Sequence, residues 1–214
     1  MTTKTDNFAT TENPLGSVNG KWTSALNGGL QCTASVGAKA TTGSNQKVSL
    51  WNTADYTAGP DQEVEITYSG YTILDQPGFV LRCSGSGATL NGYAGWYNRN
   101  DQRIHLALIT AGVVGADLKF FQWGAPVDGD RFKINVTATN FTIFTNGAQQ
   151  NWQGGSPNFT DATYSSGQFG LYYDFGATNS TLITLVTLSD TLGDYFLNSS
   201  TPGIQARVLR NIAG

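Results

Sequence analysis

The sequence predicts an all-β fold of antiparallel strands, and three observations carry the prediction. No stretch of the 214 residues sustains helical periodicity. Short runs rich in Val, Ile, Phe, Tyr and Trp alternate with polar residues, as strands buried on one face do. Turn-forming clusters interrupt those runs at 58–61 (AGPD), 85–87 (GSG), 126–130 (PVDGD) and 154–158 (GGSPN). Turns between such runs imply antiparallel pairing, and ten or more strands normally close or stack into a sandwich.

The runs justify themselves in order. Residues 29–36 and 47–52 open the set, the first with Cys32 on its apolar face. In 62–70, Val64 and Ile66 face one way and Glu63 and Glu65 the other. Residues 78–84 carry Arg82 and Cys83. In 93–99, Tyr93 and Tyr97 share a face and Trp96 takes the opposite one. In 103–111, His105 alternates with Ile104, Leu106 and Leu108, so it occupies the second face of its strand. Residues 118–124 hold Phe120, Phe121 and Trp123. In 131–138, Phe132, Ile134 and Val136 form one face and Lys133, Asn135 and Thr137 the other. Residues 141–147 end in Asn146-Gly147, a pair suited to the positive φ angles of a two-residue hairpin turn; Phe144 points opposite to Ile143, so this strand is expected to be covered on both sides. Residues 166–176 and 181–190 close the series.

Beyond Asp190 the pattern fails. Residues 1–190 therefore form one sandwich, and 191–214 a short irregular extension. That extension reads as a frayed tail or as a docking arm built on Ile204, Arg207, Val208, Leu209, Arg210 and Ile212, ordering on a neighbouring molecule.

Composition narrows the function classes. Hydrophobic residues make up 39% and aromatic residues 12%, while charged residues reach only 13%, about half the usual share. The net charge of −3 and the absence of a Lys/Arg run argue against nucleic acid as a ligand. No apolar run approaches a membrane span, and residues 1–16 lack the apolar core of a signal peptide, so production without ordinary secretion is expected. Cys32 and Cys83 read as buried thiols, with a disulfide open to them in an oxidising medium. The five Asn-x-Ser/Thr sequons, at Asn135, Asn140, Asn158, Asn179 and Asn198, follow from the richness in Asn and Thr.

Several stretches, taken in order, resemble the concanavalin-A-like, laminin-G-like jelly-roll superfamily, in the single-module form common in bacteriophage sequences. They are DNFATTENPLGSVNGKWTSALNGGLQC, QEVEITYSG, PGFVLRCS, NGYAGWYNR, GDRFKINVTATNFTIFTNG, YSSGQFGLYYDFG and TLVTLSD. The resemblance covers roughly residues 6 to 190 and implies an antiparallel jelly-roll β-sandwich. It also implies an N-terminal strand lying near the last one.

The chemistry of an enzyme is missing from the sequence. Glu63 and Glu65 share a strand face, but no third acid stands in register with them, and the bland reading is a pair of solvated acids. His105 is the single histidine and has no Gly-x-Ser-x-Gly elbow to serve. Relatives of this fold often hold calcium between loops, which the resemblance extends to Asp128 and Asp130 as weak candidates; an ordinary turn is the plainer expectation. No other cofactor is expected.

Aromatic residues are the remaining signal, since their faces stack on sugars while Asn, Gln and Arg bind hydroxyls. The expected glycan-binding set is Arg82, Tyr93, Trp96, Tyr97, Arg99, His105 and Trp123, with core packing the competing role for about half of the aromatics. The reading is a non-enzymatic structural protein of a phage virion: a head decoration, tail or fibre component, located on the virion. Its partners would be other virion proteins, further copies of itself and cell-surface glycans. The alternatives are a stand-alone carbohydrate-binding, lectin-like module and a polysaccharide hydrolase or lyase.

Overall fold

A computed structural model describes residues 2–40, 46–70, 75–175 and 181–190, together with strand segments at 196–197 and 206–207. In chain order the strands are β1 (Thr2–Asp6), β2 (Trp22–Leu26), β3 (Leu30–Thr33), β4 (Gly37–Ala40), β5 (Lys47–Trp51), β6 (Gln62–Ser69), β7 (Asp75–Ser84), β8 (Asn91–Asn98), β9 (Arg103–Thr110), β10 (Val113–Gln122), β11 (Arg131–Thr137), β12 (Asn140–Thr145), β13 (Ala148–Gln150), β14 (Phe159–Thr160), β15 (Gln168–Phe175), β16 (Leu182–Asp190), β17 (Phe196–Leu197) and β18 (Ala206–Arg207). Helical structure among the described residues is one 3-10 turn, Gly87–Thr89, and no helix is long and apolar enough to cross a membrane.

Strands β1 to β16 form two antiparallel sheets, and β17 and β18 pair separately. The first runs β13-β12-β11-β6-β16-β4-β3, with β1 also paired to β16 and β14 to β12. The second runs β10-β9-β8-β7-β15-β5-β2. The first strand does lie on the last long one, Thr5 opposite Thr187. It spans Thr2–Asp6 and so precedes the Asn-Phe of the expected motif.

Alternation explains the sandwich. Val64, Ile66, Phe132, Ile134, Val136, Phe141 and Ile143 project from the first sheet onto Phe79, Leu81, Tyr93, Tyr97, Ile104, Leu106, Leu171 and Tyr173 of the second, all buried in one cluster. The second sheet is buried on its other face too. Val48, Val80, Ala94, Trp96, Ala107, Ile109 and Tyr172 form a separate cluster there that draws on no residue of the first sheet.

Several expectations change in detail. Asn146 (φ 49) and Gly147 (φ 83) adopt the left-handed angles expected of them, but they join β12 to the short β13. The turn between β11 and β12 is made by Ala138 and Thr139, with Ala138 at φ 53. Phe144 is half-buried on the outer face of the first sheet, not covered by a second layer; the Lys133 ammonium lies 4.5 Å from its ring centre. Strand β4 (GAKA) went unread because Ala38 and Ala40, although buried, give no strong apolar period. Ile204, Val208, Leu209, Arg210, Ile212, Asn179 and Asn198 lie outside the described residues; Arg207, the described member of the docking set, pairs with Phe196.

Arg82 is buried, 1% exposed, at a β-bulge where the β7–β8 register shifts between Leu81 and Ser84. Its φ of 52 swings the side chain out of the ladder. The guanidinium then donates to the carbonyls of Pro60 (2.7 Å), Tyr164 (3.1 Å) and Ala138 (2.5 Å), with Asp61 Oδ1 at 3.9 Å. Beside it the Tyr93 hydroxyl donates to Asp161 Oδ1 at 2.6 Å. One charge thus ties three loops across one end of the sandwich, and its desolvation is offset only because several oxygens converge on it.

Three outcomes follow. Arg82→Ala leaves those carbonyls without a donor and lowers unfolding free energy by about 3–5 kcal/mol in urea titration, and Arg82→Lys recovers only part. Burial pushes the phenols of Tyr93 and Tyr97 up to about 12; protons held more tightly in the folded state stabilise it below the ordinary phenol range. That stability falls as pH rises from about 10 to about 12, measurable as a declining Tm. The two thiols sit in different clusters, Cys32 between the sheets and Cys83 on the other face of the second sheet. Burial pushes Cys32 up to about 11 and Cys83 up further, so a thiol reagent at pH 8 labels neither until denaturant is added.

Candidate functional site

The outer face of the second sheet is apolar and tightly filled over its middle and polar where β8, β9 and β10 run out together, with Gln76 of β7 and Asp174 of β15 also half-buried on this face. Register places two ranks there. Asn98, Arg103 and Gln122 lie abreast on the three strands. Trp96, His105 and Phe120 form the rank behind. Gln122 is exposed, Asn98, Arg103 and Phe120 are half-buried, and Trp96 (8%) and His105 (6%) form the floor.

Local packing fixes the floor. The indole of Trp96 stacks on the His105 imidazole, centroids 5.0 Å apart and planes 11° from parallel, and leans on Tyr172 at 5.7 Å. Gly78 faces Trp96 from β7, and a Cβ there would stand 2.7 Å from Trp96 Cβ, so only glycine leaves room for the ring. His105 Nδ1 is 2.8 Å from Asp117 Oδ2 and Nε2 is 3.0 Å from Asp101 Oδ2.

The front rank is tied to the turn at 99–102. Gln122 Nε2 donates to the carbonyls of Asp101 (3.2 Å) and Gln102 (3.1 Å), and its Oε1 accepts from Arg103 Nε at 3.2 Å. The Arg103 guanidinium lies 4.1 Å from the centre of the Phe120 ring. Its two terminal nitrogens have no protein partner among the described residues.

Trp96 differs from three other tryptophans in one respect. Trp22 Nε1 donates to Asp6 (2.8 Å), Trp51 Nε1 to Asp55 (2.6 Å) and Trp152 Nε1 to the Phe141 carbonyl (3.0 Å). Trp96 Nε1 is buried with no acceptor. A buried donor left unpaired costs about 1–3 kcal/mol.

Of the seven residues expected to bind glycan, the structure brings Trp96 and His105 together and puts Arg99 half-buried in the adjoining turn. The other four are placed elsewhere by parity or by the bulge. Tyr93 and Tyr97 point between the sheets, fully buried, with the Tyr97 hydroxyl donating to the Gly124 carbonyl at 2.7 Å. Trp123 follows Gln122 and so turns inward, edge-on to Tyr97 at 5.4 Å. Arg82 is spent on three loops at the other end of the sandwich. Asn98, Asp101, Arg103, Asp117, Phe120 and Gln122 went unread. Arg103 shares the strand parity of His105, a signal open to sequence reading, whereas the rest depend on register.

The acids considered for other chemistry are engaged elsewhere. Glu63 and Glu65 lie on the outer face of the first sheet, paired with Lys133 (3.0 Å) and Arg131 (3.7 Å). Asp128 Oδ1 accepts from the Gly70 amide at 2.9 Å, and Asp130 from the Val127 amide (2.7 Å) and Asn146 Nδ2 (2.9 Å). Among the described residues no three His, Cys, Asp or Glu side chains are grouped so that they could hold a metal ion. Asp130 closes its own turn, and Asp128 joins that turn to the Gly70 amide.

No protein-family model matches the chain, and no curated protein matches it. Solved structures do. A carbohydrate binding module, CBM66 from Bacillus subtilis, superposes with TM-score 0.58 at 15% identity, over 79% of this chain and 92% of its own. The exoplasmic/lumenal domain of VIP36 in its Ca2+/Man3GlcNAc-bound form gives 0.56 at 13% identity, over 83% and 87%. Its metal-free form gives 0.54 at 14%, over 79% and 84%. At such identities the likeness is one of fold. Together with two antiparallel sheets packed through one aromatic core, it makes this chain a concanavalin-A-like jelly-roll β-sandwich.

Proposed function

We propose that the protein is a non-enzymatic, lectin-like glycan-binding module. Its ligand lies on the outer face of the second sheet, over the rank Asn98, Arg103 and Gln122 and against Trp96 and Phe120. The observation that carries this reading is the open polar rank: Gln122 is exposed, Asn98 and Arg103 are half-buried, and the Arg103 terminal nitrogens, beside the Phe120 ring, have no protein partner among the described residues. A sugar supplies what that arrangement lacks: hydroxyls for Arg103 and Gln122, and a C–H face for Phe120. The fold likeness to a carbohydrate binding module and to a Man3GlcNAc-bound domain supports it.

A catalytic reading has less behind it, because retaining hydrolysis needs two carboxylates about 5 Å apart across a sugar and Glu63 and Glu65 are ion-paired on the opposite sheet. The expected virion setting is a separate matter, tested by mass spectrometry of purified particles.

A glycan array followed by calorimetry tests the module. Arg103→Ala and Gln122→Ala are each expected to weaken binding at least about tenfold, the ~1.4 kcal/mol of one lost polar contact, at unchanged Tm. Phe120→Ala removes the ring offered to the sugar C–H face and weakens binding similarly. Binding survives EDTA, since the rank Asn98, Arg103 and Gln122 contains no carboxylate to hold a metal ion. A silent array, or variants that bind like the parent chain, would sink the reading.

A further inference from the structure

His105 holds two acids with one ring. Asp101 comes from the turn after β8 and Asp117 from β10, and these are the charged groups that face the imidazole; β8 presents the uncharged Trp96 indole. Asp117 reaches the ring because the β9–β10 ladder slips on both sides of it, between Val114 and Asp117 and between Asp117 and Lys119. Such bulges re-aim side chains at the cost of ladder hydrogen bonds, so this stretch of the edge strand depends more than its neighbours on side-chain attachment.

A neutral imidazole carries one N–H and one lone pair, whereas the imidazolium carries two N–H donors. The neutral ring donates to one carboxylate and turns its lone pair on the other. Only the charged ring satisfies Asp101 and Asp117 together. Because Gln122 bonds the carbonyls of Asp101 and Gln102, whatever moves the turn moves the front rank of the site.

We propose that His105 is a pH-operated clasp: protonated, it pins the β10 bulge and the 99–102 turn to the floor of the site, and deprotonated it releases one of them. His105 is then a positioning residue, acting through Gln122 and Arg103. The expected consequence for ligand affinity rests on the glycan-binding reading, while the clasp itself does not.

The chain has one histidine, so its ring nitrogens give an isolated NMR signal. The full-length protein, 15N-labelled, is titrated from pH 5 to pH 9 with amide exchange followed in parallel. As the second ring proton is lost, exchange at residues 115–119 or 99–102 rises at least tenfold beyond its intrinsic pH dependence, and β6 and β11 amides follow the intrinsic dependence alone. His105→Gln shows the faster exchange across the whole range. Asp117→Asn can bond the neutral ring and flattens the pH response of 115–119. Exchange in both segments that tracks β6 at every pH overturns the clasp. In the binding arm, affinity falls with the same midpoint as the ring signal; a ligand bound with a flat pH profile overturns the link to the site. If no glycan binds, the exchange measurement still decides the clasp and the failure belongs to the glycan reading.

Discussion

The second sheet is buried on both faces, and that constraint shapes the rest of the molecule. Its strands must present large side chains to the first sheet and close-fitting ones to the other side. Tyr93, Tyr97, Ile104 and Leu106 meet the first demand; Val80, Ala94, Ala107 and Gly78 meet the second. Polar side chains on the outer face gather where β8, β9 and β10 run into the 99–102 turn, and the proposed glycan site lies there, because polar groups desolvated within the apolar cluster would cost free energy.

The two ends of the sandwich solve their polar problems differently. At one end each nitrogen of the Arg82 guanidinium donates to a carbonyl from one of three loops, which turns a buried charge into a fastening. At the other, among the described residues, Trp96 keeps a buried N–H with no acceptor and Arg103 keeps two terminal nitrogens without a protein partner. A saturated network rigidifies, and an unsaturated one is where a ligand gains by arriving. The same residue types, an arginine beside aromatics, thus serve stability in one place and recognition in the other.

Much of the fold was legible in the residues. Alternation in 131–138 assigned Phe132, Ile134 and Val136 inward and Lys133 and Asn135 outward, and the burial of β11 follows that division. Opposite facings of Tyr93 and Trp96 were readable for the same reason, since successive side chains on a strand must diverge. The site was legible only in part. Tyr97 and Trp123 have the chemistry of sugar-binding residues and sit in the core, because parity outranks residue type in deciding what a side chain meets. Asp117 was invisible, because a bulge alone turns it over His105.

By itself the sequence determined the class of fold and the inward faces of the central strands, since period-two alternation and turn chemistry are local properties of the chain. Tertiary structure alone decided which strands lie abreast, that Asn98, Arg103 and Gln122 share a rank, and that one indole donor is left without an acceptor. The physical reason is that register and bulges are set by packing between strands far apart in sequence, and a single-residue slip would exchange the two faces.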